Sequence, residues 1–303
     1  MKRAIPNLHA MALALSFALA ATSVFAQSAY PTAEAAADAF TAAVEKHDQP
    51  ALQKVLGAQW RDYIPTEGID QEDIDAFLTQ WKASHRIVTE GATAKVAVGN
   101  EGWTLPIPLK QDKGGWRFDP KAGGEEMRVR RIGRNELAVL QAVQAYRDAQ
   151  LDYAENDHDG DGVLEYAQRI LSSDGRHDGL YWPDDDSADV SPLGPLFGDD
   201  LPKGDYLGYR YRILTQQGPS APGGARNYLI DGRMTRGFAL VAWPAKYGDT
   251  GVMSFMIGPD GQVFEKDLGP GGEALAKAMK GFDPDSSWSQ EKSATDATAT
   301  ATK

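Results

Sequence analysis

The spacing of apolar side chains changes along this chain and predicts its elements. Apolar residues recur every three or four positions in the first third, as in amphipathic helices, and then alternate, as in β-strands. The expected helices are residues 33–47, 50–56 and 70–82, and the expected strands are residues 95–98, 103–110 and 116–118. Two prolines in the middle strand favour a sheet edge. This part is therefore expected to be an α+β domain, helices first and a small antiparallel sheet after them.

The centre of the chain predicts a long helix, an acidic loop and a second, shorter helix. No proline or glycine interrupts residues 135–158. Asn135 suits a helix start because its side chain can accept a free N–H, and Glu136 suits the positive end of the helix. The acidic loop follows at residues 157–162, and residues 163–171 return to a helical composition.

Strand patterns dominate the rest of the chain. Four or five antiparallel strands are expected within residues 206–265, then a short helix at residues 272–279. A tail rich in Ser, Thr and Ala is expected to be disordered. The expected segments are residues 1–26 (leader), 27–133 (α+β), 134–285 (α+β with the acidic helix–loop–helix) and 286–303 (tail).

The leader has the layout of a cleavable export signal. Lys2 and Arg3 precede an apolar run that ends in small residues before Ala26. The run is too short for a permanent membrane helix, so cleavage after Ala26 is expected to release a periplasmic or secreted protein without a membrane span. An uncleaved N-terminal anchor is the alternative.

Composition narrows the function classes. The chain has no Cys, which excludes disulfides and thiol chemistry. Its formal charge is −12, and loss of Lys2 and Arg3 with the leader makes it −14. Such a balance argues against nucleic acid or anionic lipid as a partner and is compatible with cation binding.

The acidic loop carries the one recognisable chemical pattern, D-x-D-x-D-G. Calcium takes six to eight oxygen ligands, so closely spaced carboxylates on a tight turn suit it. By position in a helix–loop–helix site, the candidate ligands are the side chains of Asp157, Asp159 and Asp161, the carbonyl of Val163 and the side chain of Glu165. Gln168 stands where a bidentate Glu is usual, so the expected dissociation constant is on the order of 10⁻⁴–10⁻³ M. Ca²⁺ is thus the one candidate cofactor, and a metal-free turn made by the same residues is the alternative.

The long irregular region at residues 172–204 is the second place where function is expected. Its acidic run at residues 184–186 is expected to face water. His177 lies between charged neighbours and is expected at the surface; a pocket lined by His177, Asp178 and Tyr181 would instead favour an enzyme. The sequence has no nucleophile–base motif and no phosphate-binding loop, so no catalytic residue is assigned.

Several segments together resemble one family. They are RIGRNEL (131–137), DHDGDGVLEYAQ (157–168), GLYWP (179–183), SPLGPL (191–196), QGPSAPGGA (217–225), GFALVAWP (237–244) and EKDLG (265–269). They look like a bacterial exported family, the domain-of-unknown-function family numbered 2950, found mostly in Gram-negative bacteria. The resemblance spans nearly the whole mature chain and implies export, but it brings no activity, substrate or catalytic residue.

Two likenesses of layout add to the expected fold. The N-terminal block resembles the cone-shaped domains of the nuclear-transport-factor-2 type. The second half is similar to the globular heads of type IV pilin-like proteins, in which a long helix packs on an antiparallel sheet. Fold alone does not fix function.

The expected function is a non-enzymatic binding, assembly or envelope-maintenance module. Its partner is expected to be an unidentified envelope protein or a small ligand. Two alternatives stay open. One is a periplasmic hydrolase with a site near residues 172–204, and the other is a subunit of a pilin-like or secretion assembly.

Overall fold

The structure is a computed structural model, and it describes residues 27–66, 69–184, 189–194 and 204–291. These residues form five α-helices and four antiparallel sheets, so the predicted α+β class is confirmed. The chain divides into two units, residues 1–124 and 125–303, with the division inside the fourth helix.

Polar side chains start the helices of the first unit where the sequence predicts. These helices are α1 (Ala33–Glu45), α2 (Gln49–Leu56) and α3 (Gln71–Ala83). Before α1, the Thr32 hydroxyl accepts the Ala35 N–H at 3.1 Å. Before α3, Asp70 and Asp73 each accept the other's backbone N–H, which is a capping box.

The sheet of the first unit is only partly as predicted. Its strands are β1 (His85–Glu90), β2 (Thr93–Val98), β3 (Trp103–Thr104), β4 (Leu109–Asp112) and β5 (Gly115–Phe118). They lie in the order β1-β2-β4-β5, and β3 pairs with β2. A continuous strand over residues 103–110 was the wrong prediction. Pro106 and Pro108 have no N–H to donate, so the ladder is interrupted between β3 and β4.

Helix α4 spans Pro120–Tyr153, so the prediction that it starts at Asn135 was wrong. Asp119 provides the cap, because its Oδ1 accepts the Ala122 N–H at 3.2 Å, and the proline stands in the tolerated first turn.

Asn135 and Glu136 have a different role from the predicted cap. Asn135 Nδ2 donates to the Thr250 carbonyl at 2.8 Å. Glu136 Oε1 accepts the N–H groups of Val252 and Met253 at 2.8 and 2.9 Å. Both side chains therefore attach the middle of α4 to a loop and strand of the second unit.

The second unit contains α4 from residue 125, a five-stranded sheet and a short helix, α5 (Gly272–Ala278). Its strands are β6 (Tyr209–Leu214), β7 (Gln216–Gln217), β8 (Arg226–Asn227), β9 (Leu229–Ile230), β10 (Arg233–Met234), β11 (Ala239–Pro244), β12 (Met253–Ile257), β13 (Val263–Asp267) and β14 (Ser289–Gln290). The main sheet has the order β14-β13-β12-β11-β6, and β7–β8 and β9–β10 form two small hairpins.

One hydrophobic core joins α4 to this sheet. Val143 and Tyr146 of α4 and Leu240 of β11 are at most 3 % exposed, and the Tyr146 hydroxyl donates to the Ala239 carbonyl at 3.2 Å. Within the four described stretches of chain, no helix combines the length and the apolar character needed to cross a membrane.

Residues 163–171 are not helical, so the predicted helix–loop–helix was wrong. Their backbone is engaged in long-range hydrogen bonds. Gln150 binds both the N–H and the carbonyl of Ala167, at 2.9 and 2.8 Å, and the Tyr166 N–H donates to Met234 at 2.8 Å. A helix would need these groups for its own bonds, and tertiary pairing prevails over local composition.

Part of the predicted disordered tail forms a strand. Strand β14 pairs with β13 through Phe264–Gln290 and Glu265–Ser289, so disorder from residue 286 was the wrong prediction. The leader at residues 1–26 and the end of the tail at residues 292–303 lie outside the described residues.

Candidate functional site

The acidic loop, residues 157–162, is folded around the Asp157 carboxylate. Asp157 Oδ1 accepts the Gly160 N–H and Oδ2 accepts the Gly162 N–H, each at 2.8 Å. The two glycines have φ angles of 74° and 84°, a region that costs other residues strain. The N–H groups, that of Gly162 first, hold the pKa of the Asp157 carboxyl below its ordinary value.

The turn brings three predicted ligands together. One carboxylate oxygen from each of Asp157, Asp159 and Asp161 lies within 4.8 Å of the others, and all three residues are exposed. Asp159 Oδ1 accepts the Asp161 N–H at 3.2 Å, and Asp161 Oδ1 accepts the Val163 N–H at 2.9 Å. Asp161 also forms an ion pair with Arg233, which offsets part of the repulsion among the carboxylates.

Glu165, a predicted ligand, and Gln168, which stands where a bidentate Glu is usual, both bind the region of β10. Glu165 Oε2 accepts the Met234 N–H at 3.2 Å, and Gln168 Nε2 donates to a turn carbonyl at 2.7 Å. Burial raises the pKa of Glu165, and the negative charges of Asp159 and Asp161 raise it further. The hydrogen bond from the Met234 N–H lowers the pKa but does not outweigh these effects. Glu165 is thus within electrostatic reach of the acidic loop.

A second group of side chains lies beside the loop and was not predicted. We name it the histidine–aspartate cluster: His158, His177 and Asp189. The Nδ1 atoms of both histidines lie 2.9 Å from the same oxygen, Asp189 Oδ2. The side chain of His158 is only 4 % exposed, that of His177 18 % and that of Asp189 33 %.

Aromatic residues hold this cluster in position. The His158 ring stacks on Tyr153 with 4.0 Å between ring centroids, and the His177 ring stacks on Trp182 at 4.2 Å. The Tyr153 carbonyl lies 3.0 Å from His158 Nε2 and accepts a hydrogen bond from it. The Tyr153 hydroxyl donates to the His177 carbonyl at 2.8 Å. Trp182 Nε1 donates to the Asp189 carbonyl at 3.2 Å.

The loop and the cluster share an open cleft of about 690 Å³. Its lining includes four acidic residues and both polar and apolar surface: Asp152, Glu155, Asn156, Asp157, His158, Asp189, Val190, Ser191 and Pro192. Several carboxylates around one cleft create a negative potential that attracts cations.

The expectation that His177 is a surface residue was wrong. The residues predicted beside it serve other contacts. Asp178 accepts the N–H and the hydroxyl of Ser173 at 2.7 and 2.9 Å, and Tyr181 is buried in the hydrophobic core. In the acidic run at residues 184–186, only the first aspartate belongs to the described part of the chain.

A separate apolar cavity of about 300 Å³ lies between α4 and the main sheet. Tyr146, Tyr211 and Leu240 contribute to its walls, and burial raises the pKa values of both tyrosines. Leu193 and Gly204 also line it.

The arrangement offers two kinds of chemistry. Carboxylates alone suit a hard cation such as Ca²⁺. A histidine paired with a carboxylate can hold or pass a proton. The only signal for the cluster in the sequence is that Tyr153 precedes His158, and Trp182 follows His177, by a few residues.

Comparison with known proteins gives one match. A family model described as "Protein of unknown function (DUF2950)" matches residues 27–291. No curated protein and no solved structure matches the chain. Because the match covers most of the chain, from the first residue after the expected leader to the end of β14, the chain belongs to the DUF2950 family.

Proposed function

We propose that this protein is an exported, non-enzymatic, cation-binding module of the bacterial cell envelope, and that its acidic loop binds Ca²⁺. The observation that carries the proposal is the convergence of the Asp157, Asp159 and Asp161 carboxylates within 4.8 Å. Calcium is held by such sets of oxygens. The N–H groups of Gly160 and Gly162 hold the Asp157 carboxylate in position.

The coordination follows from the loop. The three aspartates would supply side-chain oxygens, Val163 its carbonyl oxygen, and Glu165 its second oxygen directly or through water. Gln168 is bound elsewhere. This set gives fewer charged ligands than a complete loop, so we expect a dissociation constant on the order of 10⁻⁴–10⁻³ M, suited to a calcium-rich exterior.

Export is supported by the leader and by the family match. Lys2 and Arg3, the apolar run and the small residues before Ala26 have the order of a signal peptide. The family match begins at residue 27, directly after the expected cleavage site. The leader favours export, and the resemblance to a family found mostly in Gram-negative bacteria favours the periplasm as the location.

A hydrolase is the alternative, and the paired histidine and aspartate in the cleft are its best support. The hydrogen bonds of the Ser191 hydroxyl in that cleft argue against a hydrolase. Ser191 Oγ accepts the Trp182 N–H and donates to the Leu180 carbonyl, each at 3.2 Å, so it holds backbone groups and is not placed as a nucleophile.

A thermal melt tests the calcium proposal. At about 10 mM Ca²⁺ and the expected affinity, the ion should raise the unfolding free energy by about 1.4–2.7 kcal/mol relative to EDTA. The melting temperature should rise by about 2–4 °C for each kcal/mol.

Asp159→Asn is the informative variant, because the amide oxygen can still accept the Asp161 N–H while the charge is lost. We expect it to melt like the wild type in EDTA and to lose most of the calcium response. Asp260→Asn is the matched control, since Asp260 is also exposed and accepts an N–H two residues on at 3.2 Å. A wild-type protein that Ca²⁺ does not stabilise would refute the proposal.

A further inference from the structure

We propose that His158, His177 and Asp189 bind a divalent transition-metal ion of the Zn²⁺ class. The site is separate from the acidic loop in its ligands and in the kind of ion it favours. Two imidazoles and a carboxylate suit Zn²⁺ and its neighbours in the first transition row, whereas an all-oxygen loop suits Ca²⁺.

The first argument is the orientation of the His158 ring. Its Nε2 lies 3.0 Å from the Tyr153 carbonyl, an atom that only accepts hydrogen bonds, so Nε2 is the nitrogen that donates. Nδ1 faces Asp189 Oδ2 at 2.9 Å and is the nitrogen that can bind a metal ion.

The second argument is that Asp189 receives two such nitrogens on one oxygen. His177 Nδ1 also lies 2.9 Å from Oδ2, and one ligand atom from each of the three residues lies within 4.8 Å of the others. Two ligands on a tetrahedral Zn²⁺ at about 2.0–2.1 Å stand roughly 3.3 Å apart. Each Nδ1 therefore needs to separate from Asp189 Oδ2 by only a few tenths of an ångström to accept the ion.

The third argument is that the ligands are held before any ion arrives. A histidine that binds metal through one nitrogen usually donates the other N–H to a carbonyl or carboxylate, as His158 does to Tyr153. The Tyr153 hydroxyl fixes the backbone of His177, and Trp182 Nε1 fixes that of Asp189. Stacking on Tyr153 and Trp182 restricts both rings.

The shared cleft supplies the remaining coordination position. His158 and Asp189 are part of its lining, so water can reach the ion from that side. Three protein ligands and one water form an open site, and the acidic lining favours entry of a cation.

Zinc titration of the exported protein, purified without a histidine tag, tests the proposal. We expect one Zn²⁺ per chain, measured by calorimetry and by competition with a coloured chelator. His177→Gln and Asp189→Asn should each weaken binding at least tenfold, since even changes behind the ligands cost 10–100-fold in such sites. Circular dichroism verifies that each variant is folded, and Asp189→Asn preserves side-chain shape if His177→Gln does not fold.

His85→Gln is the matched control. Like His177, the His85 ring stacks on a tryptophan, Trp81, at 4.0 Å. Its Nδ1 lies 2.9 Å from the Trp81 carbonyl, whereas that of His177 lies 2.9 Å from the Asp189 carboxylate. Zinc affinity should be unchanged in this variant. X-ray absorption of the zinc complex should report two imidazole ligands.

Asp159→Asn separates this inference from the proposed calcium function. Loss of the calcium response with zinc binding retained supports two distinct sites. Zinc binding that vanishes in Asp159→Asn but survives in His177→Gln would overturn the inference and assign the ion to the acidic loop. Wild-type protein that binds no Zn²⁺, or variants that bind it as the wild type does, would also overturn it.

Discussion

Gln150 forms two hydrogen bonds with the backbone of Ala167, donating to its carbonyl at 2.8 Å and accepting its N–H at 2.9 Å. Both residues are buried. The side-chain amide of Gln150 makes the two backbone hydrogen bonds that a neighbouring strand would otherwise make. It fixes the chain just after the acidic loop and so determines where the loop ends relative to α4.

The Gln150→Leu variant should lose about 2–4 kcal/mol of unfolding free energy. It leaves the N–H and the carbonyl of Ala167 buried without their partner, and each such group costs about 1–3 kcal/mol. Gln144→Leu on the same helix is the control, because Gln144 is exposed and makes one bond, to Gly261. Urea unfolding curves that give the two variants equal stability would contradict this prediction.

Two glycines of α4 should respond oppositely to alanine. A Cβ on Gly124 would lie 2.5 Å from the Tyr63 carbonyl oxygen, whereas one on Gly133 meets nothing within 4 Å. Gly124→Ala should therefore cost about 1–3 kcal/mol through steric overlap. Gly133→Ala should gain about 0.5–1 kcal/mol from helix propensity. Thermal melts compare the pair, and a destabilised Gly133→Ala would be inconsistent with an uninterrupted helix.

The contribution of Glu165 to the unfolding free energy should decrease as the pH rises. Its pKa is higher in the folded than in the unfolded protein, so folding takes up protons in the window just above the ordinary Glu pKa. Unfolding free energy from this group therefore falls as pH increases through that window. Glu165→Gln keeps an acceptor for the Met234 N–H and removes the charge.

In EDTA, the unfolding free energy of Glu165→Gln relative to that of the wild type should increase from pH 4.5 to pH 7.5. The increase should be less than about 1 kcal/mol, because water screens a half-buried group. Glu155→Gln, an exposed change, is the control. A difference from the wild type that does not change with pH would argue against this origin.

The last described residues should contribute to stability. Glu291 donates its N–H to Val263 at 2.9 Å, and Trp288 packs against the core. A chain that ends at Asp285 should lose about 1–3 kcal/mol relative to one that ends at Glu291, since it loses these bonds and this apolar burial. It should also aggregate more readily because β13 becomes an open edge. Equal melting temperatures and light scattering would refute the prediction.

Local signals in the sequence predicted local structure well. Helices α1 and α3 begin within one residue of their predicted starts, because a cap such as Thr32 or Asp70 involves only residues a few positions away. The start of α4 at Pro120 was not predicted. Gly124 looks like a helix breaker, yet it is needed for the close approach of Tyr63.

Distant pairings limited the prediction of the site. The composition of residues 163–171 favours a helix. However, the Gln150 side chain and the Met234 carbonyl, both distant in sequence, accept the backbone N–H groups that a helix would use. His158 and Asp189 are 31 residues apart and share no spacing motif. The acidic loop was predictable because its aspartates are close in sequence, whereas the histidine–aspartate cluster exists only in three dimensions.

Asp157 and His158 are consecutive residues, yet one belongs to the acidic loop and the other to the histidine–aspartate cluster. A single peptide unit joins them, and both side chains line one cleft. Two divalent ions so close together repel, so occupancy of either site would weaken the other. Thermodynamic reciprocity makes that penalty equal in both directions. Each ion would then bind less tightly when the surrounding fluid contains more of the other.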